Sequence, residues 1–157
     1  MAKCLQLRRG VEQAQNLFTG EQGELTMTTD TKELRIHDGT KVGGFRVPTL
    51  VAVQYPSAAN NYTWYRKYSD GWVEQGGVYD RGGYSTNWNT TILLPITMAD
   101  SNYTVLLATN SIDGDHLGEH GLNFESRTTT GFAVYYYAGS TSDGSRGASW
   151  EVKGLAA

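Results

Sequence analysis

Cysteine is almost missing from this sequence: Cys4 is the only one in 157 residues. A lone cysteine excludes an intrachain disulfide framework and any zinc site built on cysteines. Cys4 reads as a small buried hydrophobe near the start of a strand. Long apolar runs are missing too. Stretches such as 92–94 and 105–108 run only a few residues, against the roughly 20 that a membrane-spanning helix needs. Lys3 is followed by Cys-Leu-Gln-Leu-Arg-Arg rather than by an apolar segment, so an N-terminal export signal is not expected. An excess of positive charge is likewise missing. The net charge is −3, and no basic run exceeds Arg8-Arg9 or Arg66-Lys67. Neither nucleic acid nor anionic membrane is therefore expected as the main partner.

What is present points to strands. Hydrophobic residues make up 39% and charged residues 18%, a balance that supports a packed core rather than disorder. Ten Tyr and four Trp supply large apolar bodies with polar tips, which suit strands, interfaces and sugar contacts. Nineteen Gly provide tight turns, while helix-forming segments are scarce. The composition predicts an all-β chain.

The first part, residues 1–50, has its own texture. Residues 3–9 alternate Leu5 and Leu7 with polar neighbours, the pattern of a strand. Gly10 breaks it. Val11, Ala14, Leu17 and Phe18 then recur at helical spacing for a turn or two. Residues 24–29 and 34–37 alternate again around Asp30-Thr31-Lys32, which predicts a β-hairpin of short strands. Such a unit is too small to bury a core alone and needs copies of itself or a neighbour.

The second part, residues 51–157, reads as a series of short strands. Residues 62–68 form one with aromatic residues on both faces. Asp70-Gly71 marks a hairpin into 72–75, and Gly76-Gly77 ends or bulges the return strand. Further strands are predicted over 90–96, 103–109, 122–126, 132–137 and 150–152. Three polar segments, 79–89, 110–121 and 138–147, read as loops. The spacing predicts an antiparallel β-sandwich-like domain. Tyr135-Tyr136-Tyr137 places bulky rings on both faces of one strand, which calls for a second layer on each side. Neighbouring subunits would supply it.

The sequence resembles a known family at several points. Leu5-Gln6-Leu7-Arg8-Arg9-Gly10, Phe18-Thr19-Gly20, Gly23-Glu24-Leu25-Thr26 and Leu34-Arg35-Ile36-His37-Asp38-Gly39 resemble a small N-terminal repeat of phage tail-fibre and tropism-determinant proteins. The stretch 62–77, then Leu94-Pro95-Ile96, Met98-Ala99-Asp100, Asn102-Tyr103-Thr104-Val105 and Trp150-Glu151-Val152-Lys153-Gly154 resemble the C-terminal domain of many phage and prophage tail fibres. The long shaft that separates these parts in larger members is missing here. The resemblance implies an intertwined homotrimer in the tail fibre of a virion. A small trimeric N-terminal hairpin unit would attach to other tail proteins. Distal loops would contact a bacterial glycan or an outer-membrane receptor. A structural tail or baseplate component, or a free-standing lectin-like module, are the alternatives.

Chemical constellations are few. Asp113, Asp115, His116, Glu119 and His120 have a metal-like composition. Two His four apart need a helix to face one ligand, and this segment is rich in glycine. The calcium-loop pattern fails as well, because Leu117 stands where an oxygen ligand is needed. A solvated or sugar-contacting loop is the stronger reading, and no metal or cofactor is expected. Asp113 with Asp115, or Glu119 with Asp80, supplies carboxylate pairs on paper. Nothing in the spacing gives the separation that glycoside hydrolysis requires, so no enzyme is expected. Receptor contact is assigned to Tyr79, Asp80, Arg81, Tyr84, Asn87, Trp88, Asp115 and His116, since a sugar face packs on an aromatic ring while amides and carboxylates take its hydroxyls. Trp64, Trp72, Tyr135 and Tyr137 lie on strands and are assigned to the core or trimer interface.

Overall fold

The computed structural model describes residues 7–110, 120–138 and 144–157, and the chain divides into two compact units, Met1–Leu50 and Val51–Ala157. The fold is almost entirely β, as the composition predicts.

In the first unit, β1 (Arg8–Gly10) leads into one short helix, α1 (Glu12–Gln15), followed by β2 (Leu25–Thr28), β3 (Leu34–Ile36) and β4 (Phe45–Val47). The strands form one sheet in chain order. β1 runs parallel to β2, and the later pairs are antiparallel. β1 ends at Gly10, where the sequence places the break, and β4 was not expected. Val11 precedes α1 with no side chain able to cap it. Asp30, in the turn after β2, does this instead: both its carboxylate oxygens accept the Glu12 N–H, at 2.9 and 3.0 Å.

The alternation in this sheet has an unusual sense. The face turned inward carries Thr26, Thr28, Glu33, Arg35 and His37, all buried. The opposite face lines up Leu25, Ile36 and Phe45 in one cross-strand row and Met27, Leu34 and Val47 in the next. Leu25, Ile36 and Phe45 are 38%, 43% and 47% exposed. Polar pairing holds the inner face together. Arg35 Nη1 donates to the Gly43 carbonyl at 3.0 Å, and its guanidinium lies 3.9 Å from both Glu12 and Glu33. Arg46 bridges the same two carboxylates. His37 Nδ1 accepts the Gly20 N–H at 3.1 Å, which leaves Nε2–H to donate to Thr26 Oγ1 at 3.0 Å. Gly44 lies against this ring in a left-handed conformation, φ 62°, and a Cβ there would stand 2.8 Å from His37 Cε1.

The second unit is entered through β5 (Leu50–Gln54), which starts at the boundary residue and is followed by a 3-10 turn at Ala58–Asn60, β6 (Trp64–Tyr68) and β7 (Trp72–Ser85). It continues with β8 (Asn87–Leu93), β9 (Thr104–Asn110), β10 (His120–Thr128), β11 (Gly131–Ala138) and β12 (Ser145–Leu155). Five strands form one sheet in the order β5-β6-β7-β12-β9, and three form another, β10-β11-β8. Asp70-Gly71 does make the β6–β7 hairpin. Gly71 alone is left-handed, φ 88°, and Lys67 pairs with Val73 on either side of the turn. The connection is therefore a three-residue loop closed by a left-handed glycine rather than a two-residue turn. Gly76 and Gly77 do not end the return strand. They let it pass beneath two indoles, because a Cβ on Gly76 would meet Trp64 at 2.8 Å and one on Gly77 would meet Trp150 at 3.0 Å.

The two sheets face each other across one core. Val73, Val105, Trp150 and Val152 come from the larger sheet, and Trp88, Ile92, Phe132, Val134 and Tyr136 from the smaller. Phe132 meets Trp150 edge-on at 6.1 Å, and Trp88 stacks on Tyr136 at 5.6 Å. Tyr103 donates its hydroxyl to the Gly131 carbonyl at 2.7 Å. Burial holds the Tyr103 phenol above its ordinary value. Gln75, fully buried on β7, acts as a surrogate strand. Its amide accepts the Ile96 N–H at 2.8 Å and donates back to the Ile96 carbonyl at 2.9 Å. This anchors the segment after Pro95.

Removing the Phe132 ring, which has no exposed surface, is expected to cost about 3–5 kcal/mol of unfolding free energy in a urea titration. Gly44→Ala faces both a disfavoured φ and the His37 ring. It is expected to cost on the order of 2 kcal/mol or more, read as a lowered thermal midpoint.

Candidate functional site

The ladder registers gather one set of strand ends. Gly147 on β12 lies opposite both Asp80 on β7 and Asn110 on β9. On the other sheet, Tyr137 lies opposite Asn87, and Ala138 opposite His120. The last residues of β7, β9 and β11 and the first of β8, β10 and β12 therefore share one end of the sandwich. All three segments read as loops, 79–89, 110–121 and 138–147, connect there. Residues 111–119 and 139–143 lie outside the described residues, and with them Asp115 and His116. His120 opens β10, its side chain also outside the description. Among the described residues, no group of three or more His, Cys, Asp or Glu comes together to hold a metal.

The first of these segments differs from expectation. Residues 79–89 belong mostly to β7 and β8. Only the middle departs from the ladder: Asp80 pairs with Gly147 and Ser85 with Ser145, so residues 81–84 bulge out from β12. Gly82, φ 81°, has open space where a side chain would be. Asp80 anchors the bulge. Its Oδ1 accepts from Gly82 N–H and from Arg146 Nε, both at 2.8 Å, while Oδ2 lies 2.8 Å from Arg146 Nη2. The guanidinium beside it holds the Asp80 carboxyl below its ordinary 3.8. Arg146 is held above its own ordinary value, chiefly by Asp80 and to a smaller degree by Tyr84. Arg81 folds back onto the Gly83 carbonyl at 2.7 Å. Asp80, Arg81, Tyr84 and Asn87 are thus exposed at one end, joined by Arg146. Arg146 was not singled out from the sequence, because its pairing spans 66 residues along the chain.

Trp88 is a correction. It is only 7% exposed, stacked between Tyr136 and the half-buried Tyr79, and forms core rather than receptor surface. Alternation explains this, since Asn87 and Asn89 point outward on either side of it. The strand aromatics divide. Tyr136 enters the core, while Tyr135 and Tyr137 stand outward, 40% and 62% exposed. Tyr135 donates to Glu125, and that carboxylate raises the phenol above its ordinary range. Trp72 is 40% exposed and lies at the other end of β7, opposite Leu155. Trp64 is half-buried across Gly76.

Comparison with known proteins bears on the first unit. Residues 5–41 match the major tropism determinant N-terminal domain. The N-terminal resemblance read from the sequence is thereby borne out. No curated protein matches the chain. Among solved structures, a C-terminal portion of the P. aeruginosa R2 pyocin fibre is similar over 68% of this chain, with 16% identity and a TM-score of 0.43. An N-truncated R2-type pyocin tail fibre is similar over the same share, with 16% identity and a TM-score of 0.41. This chain spans 26% of the first and 39% of the second.

A carboxyl held below its unfolded value stabilises the fold above that value, and the contribution fades as pH falls through the lowered folded pKa. Asp80 is therefore expected to titrate below 3.8 in a carboxyl-detected NMR titration. Arg146→Gln is expected to move it back upward, and an Asp80 titration unchanged by that substitution would contradict the pairing.

Proposed function

We propose that this chain is a tail-fibre or tail-tip protein of a bacteriophage or prophage, a homotrimer that binds a glycan on the host surface without catalysis. The match of residues 5–41 to the tropism-determinant domain carries most weight. The geometry agrees with it. Among the described residues of the first unit, the apolar cross-strand row of Leu25, Ile36 and Phe45 remains 38–47% exposed. Contiguous apolar patches of this kind are covered in working assemblies. Identical copies meeting face to face would form the core that the single unit lacks. In the second unit, the outward Tyr135 and Tyr137 offer further surface for the same association.

Receptor contact falls to the end that carries Asp80, Arg81, Tyr84 and Asn87. A shallow site binds weakly. Three sites on one axis, repeated over several fibres, gain avidity of about a hundredfold or more. The unit that matches the tropism-determinant domain would serve attachment and assembly with other tail proteins.

Light scattering is expected to give three times the 17.3 kDa of one chain. A double substitution, Ile36→Glu with Phe45→Glu, is expected to reduce this to the single-chain mass. A folded wild-type monomer at micromolar concentration would refute the trimer. Labelled protein is expected to adhere to host cells, and Arg81→Ala with Tyr84→Ala to lower adhesion at least about tenfold.

A further inference from the structure

A concave surface lies on the outer face of the five-stranded sheet, lined by none of Asp80, Arg81, Tyr84 or Asn87. A cavity of about 530 Å³ is walled there by Pro56, Tyr62, Trp64, Val78 and Leu106. A further 250 Å³ continues past Pro56 and Trp64 toward Gln54 and Arg66. The main cavity alone falls within the roughly 300–1,000 Å³ typical of small-ligand sites.

Its walls are held in place before any ligand arrives. The segment between β5 and β6 is braced throughout: Ser57 N–H donates to Asn60 Oδ1 at 2.9 Å, Asn60 Nδ2 to the Tyr55 carbonyl at 2.9 Å, and Gln54 Nε2 to Thr63 Oγ1 at 3.0 Å. Asn61 and Tyr62 are both left-handed, φ 53° and 56°. That conformation is rare for a tyrosine and persists where surrounding contacts impose it. Gly76 supplies a floor on which the Trp64 indole rests.

The polar groups at the edge select the ligand. Glu151 lines the cavity, and its Oε1 lies 3.0 Å from Lys153 Nζ, which also approaches Glu74 at 4.0 Å. Ser149, also in the lining, donates to Asn110 Oδ1 at 3.1 Å. The acid is partly neutralised, so the site does not call for a cation. It retains carboxylate and hydroxyl oxygens that accept from ligand hydroxyls. Two aromatic rings beside such acceptors suit a ring with an apolar face and a hydroxylated edge. A second copy of the chain fits less well, because interface centres are depleted of charge and this one has an ionic row beside it.

We infer that this trough is a saccharide-binding site for neutral hexose or N-acetylhexosamine units, held by Tyr62, Trp64 and Glu151. It shares no residue with the Asp80–Tyr84 end, so each can fail alone.

The test is saturation-transfer NMR on the full chain with a panel of neutral hexose and N-acetylhexosamine mono- to tetrasaccharides. At least one is expected to bind. Tyr62→Ala and E151Q are each expected to weaken it about tenfold, and Arg81→Ala to leave it unchanged. E151Q preserves side-chain size, and an unaltered melting curve shows that its fold is retained. The inference is overturned if no panel member binds, or if binding survives both substitutions. It is also overturned if Tyr62→Ala or E151Q lowers the mass seen by light scattering, which would make the trough a contact between copies. Cell adhesion reads separately: adhesion without saccharide binding sinks the trough and spares the fibre reading, and the reverse result does the opposite.

Discussion

The sense of alternation in β2 and β3 governs what the first unit can be. Period-two strands must commit one face inward, and here the inward face is Thr26, Thr28, Glu33, Arg35 and His37. A buried guanidinium is tolerable only with partners, and Glu12, Glu33 and the Gly43 carbonyl surround Arg35. The inner face therefore contributes geometry more than hydrophobic stabilisation. The apolar side chains that ordinarily drive folding are spent on the outside. A one-residue slip would invert the unit, placing Leu25 and Ile36 within and the charges in water. The Asp30 contact with Glu12, the His37 bridge between Gly20 and Thr26, and the close fit of Gly44 all oppose that slip.

The second unit follows the opposite rule. Its alternation sends Trp150, Val152, Phe132 and Tyr136 into a shared interior. It is a self-sufficient sandwich by comparison, and the buried polar Gln75 is paired with the backbone of Ile96 and the Met98 sulfur. One chain thus joins a unit with its own greasy core to a unit that wears its apolar side chains outside. Such a division of labour suits a module that presents a surface and a module that gathers copies.

Much of this was legible from local pattern. The alternation over 24–29 and 34–37, the Asp70-Gly71 turn and the strand at 132–137 are short-range signals, and each corresponds to an observed element. What escaped depends on residues far apart in the chain. Gly76-Gly77 looks like a strand terminator until Trp64 and Trp150 are seen above it. Trp88 looks like a loop aromatic until the register of β8 against β11 places it over Tyr136. Arg146 sits in a polar, glycine-rich stretch with no local hint of Asp80. The outward rows of the first sheet could be read from the alternation, but which row faced inward could not, because that depends on α1 and the turns that cover it.

Bare backbone positions in the five-stranded sheet bear on how such a protein changes over generations. Gly76 and Gly77 are closed to any larger residue by Trp64, Trp150 and Thr63, and Gly147 is closed by the Tyr79 carbonyl. Tyr62, Val78 and Leu106 stand around them with 39–55% of their surface free. Variation in this region is thereby channelled. A library that left the close-packed glycines untouched and varied only the exposed side chains beside them would change the surface chemistry without adding a Cβ where the backbone leaves no room.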